Sequence, residues 1–129
     1  MSGPFVYVGT WTLKEDKADE GRKYLEEHCA LVEANEPRLI AFHLYFDDDG
    51  RNASVVQIHP DSASMEFHMK VISEHLGNAF DYIDHVTSEQ YFGAASDDLR
   101  ETLRAWESPD VHTTWKPIHA AGFTRTTVR

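Results

Sequence analysis

Ala53-Ser54-Val55-Val56-Gln57-Ile58-His59-Pro60-Asp61-Ser62-Ala63-Ser64-Met65-Glu66-Phe67-His68-Met69-Lys70-Val71-Ile72-Ser73-Glu74-His75-Leu76 changes its hydrophobic period from two to 3.6 within a few residues. Ala53 to His59 is short, β-branched and bounded by Asn52 and Pro60, which reads as a strand. Asp61 or Ser62 then serves as N-cap of a helix whose apolar stripe is Met65, Val71, Ile72, Leu76 and Ala79. His68 and His75 fall on that stripe. At about 100° per residue they point nearly the same way, but they stand roughly 10 Å apart along the axis, too far to share one metal ion easily.

Upstream, Phe5 to Leu13 alternates large and β-branched residues and forms the first strand. Asp16, Asp19 and Glu20 put negative charge at the start of a helix that runs to about Asn35, before Pro37. Its inward stripe is Gly21, Tyr24, Leu25, His28, Leu31 and Val32, which places a third histidine on a buried face. Arg38 to Phe46 is the second strand, with Ile40, Phe42, Leu44 and Phe46 on one face and Ala41, His43 and Tyr45 on the other. Asp47-Asp48-Asp49-Gly50-Arg51-Asn52 closes a hairpin and lacks the ligand spacing of a calcium loop. Downstream, Asn78 to His85 continues the second helix or adds a turn, and Val86 to Phe92 is the fourth strand. A short helix begins at Ser96, and a fifth strand runs from Val111 to Pro117.

The order β-α-β-β-α-β predicts an α+β, ferredoxin-like antiparallel sheet with an added C-terminal helix and strand, as a single domain over residues 1–129. Two helices cover one face of such a sheet. The other face, carrying Val6 and Val8, is too apolar for water, so a second subunit's sheet is its expected cover. A net charge of -10 argues against nucleic acid as a partner, and the absence of a long apolar run argues against a membrane. One cysteine, Cys29, excludes an intrachain disulfide, and a cytoplasmic location is the expectation. No two histidines on a helix stand at the i, i+4 spacing common in zinc sites, so no metal is expected.

The first strand leading through Leu13-Lys14-Glu15-Asp16 into a helix, the hairpin, Ile58-His59-Pro60-Asp61-Ser62-Ala63 opening a second helix with His68, and then Ser73-Glu74-His75 resemble the antibiotic biosynthesis monooxygenases of the dimeric α+β barrel superfamily. The resemblance covers about residues 5 to 92. It implies a homodimer with facing sheets and a pocket between sheet and helices in each subunit. Some members oxidise polycyclic phenols or quinols with oxygen and no cofactor, others degrade haem, and many have no known reaction. The haem-degrading members carry an Asn, a Trp and a His where this chain has Gly9, His59 and one of His68 or His75, so haem is not carried over.

The resemblance therefore implies a cofactor-free monooxygenase acting on a small aromatic quinol or polyphenol. Such chemistry needs a base to make a phenolate and apolar walls to hold the ring. His68 or His75 is the expected base, His28 or His59 hydrogen-bonds the developing anion, and Trp11 is a wall. Tyr7, Tyr24 and Ile72 complete the expected substrate contacts. The alternative is a non-enzymatic dimer that binds a small ligand in the same pocket or uses these residues for structure alone, since a histidine on a helix stripe also serves as an ordinary core residue.

Overall fold

The computed structural model describes residues 3–125. The chain runs β1 (Phe5–Leu13), α1 (Ala18–Asn35), β2 (Ala41–Phe46), β3 (Asn52–His59), α2 (Ser62–Leu76), β4 (Ile83–Phe92), α3 (Asp97–Arg104) and β5 (His112–Lys116). The strands form one sheet in the order β2-β3-β1-β4-β5. The first four pair antiparallel, in the ferredoxin-like arrangement expected from the element order. β5 joins the outer edge of β4 in parallel, so the complete sheet is mixed.

Local chemistry sets the boundaries. The Asp61 carboxylate accepts the Ser64 amide at 3.0 Å and caps α2. Past the last turn of α1, the Glu36 amide returns to the Val32 carbonyl at 3.0 Å, and Pro37 prevents continuation. The Ser96 side chain receives the Leu99 amide and starts α3. β4 begins three residues earlier than expected: Lys14 donates to the Tyr82 carbonyl and Ile83 pairs with Leu13, which draws the segment after the Ala79–Asp81 turn into the sheet.

On the face beneath the helices, β1 presents Phe5, Tyr7 and Leu13, β3 presents Ala53, Val55, Gln57 and His59, and β4 presents Ile83, Glu89 and Tyr91, all buried. The α1 stripe is buried at Gly21, Tyr24, Leu25, His28 and Val32. On α2 the buried positions are Ser64, Met65, His68 and Ile72. Val71, expected on that stripe, is only half-buried, because six residues from Met65 turn it well off the face. α3 adds Leu99 and Leu103 to the cluster of Phe5, Tyr7, Met65 and Tyr91, on the same side as the other helices. The added helix therefore does not cover the opposite face, where Val6, Val8, Val56, Ile58 and Phe92 are half-buried. Among the described residues no helix is long and apolar enough to cross a membrane.

Candidate active site

Between the sheet and the helices lies an open-mouthed cavity of about 50 Å³. Tyr7, Trp11, His28, His68 and Ile72, five of the residues expected at the site, line it. His59, Tyr24 and His75 do not, and each has a local reason.

His59 is fully buried below α2 with both ring nitrogens engaged. Nε2 lies 2.9 Å from the Gln57 side-chain carbonyl and Nδ1 2.8 Å from the Ser64 hydroxyl. The carbonyl only accepts, so Nε2 carries the proton and the serine donates to Nδ1. Burial and the neighbouring His68 push its pKa down to about 3, consistent with this neutral tautomer. No lone pair remains for a substrate. Tyr24 and His75 stack ring on ring at 4.3 Å, and the Tyr24 hydroxyl donates to the His75 carbonyl at 2.5 Å. They clamp α1 against α2 rather than face the cavity. The seven-residue spacing did align His75 with His68, but one helical repeat further on it meets α1.

His68 is the centre of the site. Its Nδ1 lies 2.8 Å from Glu36 Oε2, with both side chains almost fully buried. A proton on Nδ1 is donated to the carboxylate, and Nε2 is sealed from solvent with no partner among the described residues. That is the arrangement of an oriented general base, in which a carboxylate fixes the tautomer and stabilises the imidazolium once a proton is taken up. His28 stands beside it, ring centroids 6.3 Å apart and edge-on, with its own Nδ1 buried and unpartnered. Burial first, then His68 and His75, lower its pKa to about 3, so it offers a neutral ring.

Two carboxylates absent from the expected set belong to the site. Glu36 follows the last residue of α1 and reaches the cavity only through His68, 32 positions later. Glu89 lies on the inner face of β4, where Tyr7 and Tyr91 donate to the same oxygen, Oε2, at 2.8 and 3.0 Å. Burial raises the Glu89 pKa, partly offset by these two donors. Gly9, opposite Glu89 in the β1–β4 register, makes the geometry possible. A Cβ there would overlap the Tyr7 hydroxyl, which occupies the space over the strand. The position where haem-degrading members carry Asn thus has no room for a side chain. Among the described residues no three His, Cys, Asp or Glu side chains gather as a metal site.

The α+β fold with a cavity between sheet and helices has counterparts among solved structures. The chain has the fold of the antibiotic biosynthesis monooxygenase structures. MupZ from Pseudomonas fluorescens superposes with a TM-score of 0.78 at 16% identity, over 97% of this chain and 91% of that one. A provisionally assigned antibiotic biosynthesis monooxygenase from Caulobacter crescentus gives 0.64 at 18% identity, over 74% of this chain and 92% of its own. Rv0793 from Mycobacterium tuberculosis gives 0.63 at 11% identity, over 74% and 98%. The wider coverage by MupZ extends the likeness beyond the portion matched by the other two. No family model and no curated protein matches the chain.

Proposed function

We propose that the protein is a cofactor-free monooxygenase that oxidises a small quinol or polyphenol in the cavity between sheet and helices. The observation that carries this reading is the buried Glu36–His68 pair of a cavity-lining histidine, whose Nε2 has no partner among the described residues and is closed to solvent. Nε2 takes the proton of a bound ring hydroxyl, and the proton on Nδ1 stays hydrogen-bonded to Glu36 as the ring becomes cationic. The electron-rich phenolate reacts through a ring carbon with dioxygen, giving a hydroperoxide after reprotonation. Loss of water then leaves one oxygen on the ring, so a hydroquinone plus O₂ becomes a hydroxyquinone plus water. All four electrons come from the substrate. In this reading His28, neutral and adjacent, hydrogen-bonds the anion, while the cavity-lining Trp11 and Ile72 wall the ring.

Oxygen uptake with a panel of hydroquinones tests the reading. His68→Gln is expected to lower the rate by about 10² to 10⁴, the range typical of a lost general base. A flat trace for every compound with the wild-type protein, combined with measurable quinol binding, assigns the cavity to binding alone.

The same reading includes a homodimer. The half-buried Val6, Val8, Val56, Ile58 and Phe92 form an apolar sheet face that the chain's own helices leave uncovered. At about 25 cal/mol per Å² its burial offsets the entropy lost on pairing, and a two-fold axis closes the assembly. Sedimentation equilibrium at micromolar concentration should give twice the 14.7 kDa chain mass; a clean monomer mass rejects the dimer.

A further inference from the structure

We propose that Glu89 is a second polar anchor of the cavity, selecting ligands that carry a hydroxyl at each end of an aromatic ring: one for His68, one for Glu89. This rests on the reading of the cavity as a site for hydroxylated rings, and adds which of them it takes.

Glu89 lines the cavity and is 7% exposed. Both tyrosine hydroxyls donate to Oε2. Glu89 is a cavity-lining carboxylate, and no described group hydrogen-bonds its Oε1. Tyr7 and Tyr91 are fixed by the sheet and by each other, ring centroids 5.3 Å apart, so the accepting oxygen is held before any ligand arrives. Glu89 also cannot swing away, because its Oε2 is held from two directions.

The two anchors differ in kind. His68 Nε2 and His28 Nδ1 belong to the helices, Glu89 to the sheet. Within the sheet, β1 lies between β4, which carries Glu89, and β3, which underlies His68 through His59. Two strand spacings are roughly 10 Å, the scale of a dihydroxylated ring with one hydrogen bond at each end. The space between is apolar, walled by Trp11, Met65 and Met69, which suits a ring and disfavours a flexible polar chain.

The test is calorimetric binding under argon, so that no turnover intervenes, with 1,4-dihydroxynaphthalene and its monomethyl ether 4-methoxy-1-naphthol as probes. The wild-type protein is expected to bind the diol about tenfold more tightly than the ether, one charge-assisted hydrogen bond being at stake. Glu89→Gln keeps the volume and an acceptor for the tyrosines but removes the charge. It is expected to erase most of that preference while leaving ether binding within about twofold. Equal affinity for the two probes in the wild type, no binding of the diol, or an equal loss for both probes in Glu89→Gln overturns the proposal. A retained preference with no oxygen uptake leaves the anchor standing and rejects the oxygenase chemistry, so the two ideas fail separately. Circular dichroism and the melting temperature of Glu89→Gln establish that the variant is folded, and an unfolded variant transfers the decision to the wild-type probe ratio alone.

Discussion

Lowering the pH from 7 is expected to destabilise the protein from about pH 6.5 downward, well before its carboxylates titrate. His28 and His59 are buried and neutral, with folded-state pKa values near 3, against an ordinary value of 6.5 in the unfolded chain. Between these limits the unfolded state takes up two protons that the folded state refuses. Stability is therefore complete above pH 6.5 and falls as pH drops toward 3, by up to about 2.7 kcal/mol per pH unit when both groups act together. Glu89, whose pKa is raised by burial, opposes the trend, while the lowered carboxyls of Asp47 and Asp61 reinforce it only at more acid pH. Thermal melts at pH 7.5, 6.5, 5.5 and 4.5 measure the slope, and replacing His28 by Phe should flatten it by about half. A melting temperature constant from pH 7 to 5 would contradict the neutral, buried assignment of both rings.

The second large effect is expected at the Glu36–His68 pair. Replacing either residue by leucine leaves its partner's polar atom buried without a hydrogen bond, at a cost of about 3 kcal/mol for each single variant. The double variant, Glu36→Leu with His68→Leu, removes both polar groups together and is expected to be at least about 2 kcal/mol more stable than the sum of the two losses implies. Urea midpoints of the four proteins complete the cycle. Additive losses would mean that the two side chains do not depend on one another, and that Glu36 does not orient His68.

What the sequence made legible was local. The Asp61 cap, the α2 stripe that buries His68 and the α1 stripe that buries His28 are all periodicity and capping read over one helix at a time. The carboxylates were hidden for the opposite reason. Glu36 sits at a helix terminus beside Pro37, where an acidic residue normally faces water, and its burial depends on α2. Glu89 lies in a polar run, Thr87-Ser88-Glu89-Gln90, and the β1–β4 register shifts between Ile83 and His85 and again between Val86 and Ser88, so alternation from the strand's beginning does not give its face. One signal was available: Glu89 and Tyr91 stand two apart, hence on one face of a strand, and Tyr91 is large enough to demand the inner one. His75 shows the converse failure, since a helix stripe tells which side a residue occupies but not which neighbour it meets there.

The parallel direction of β5 has a consequence for how the cavity is closed. A hairpin from β4 would have produced an antiparallel neighbour and required only a short turn. To lie parallel, the chain must first travel back along the length of β4, and α3 makes that return, bringing Leu103 and the following Trp106 into the cavity lining. The enclosure is thus a by-product of strand direction: the last element added to the sheet dictates a crossover, and the crossover supplies part of the wall. The chamber is completed by residues far beyond those that carry its histidines, so the length of the pocket and its polar chemistry are written in separate stretches of the chain and can vary independently of one another.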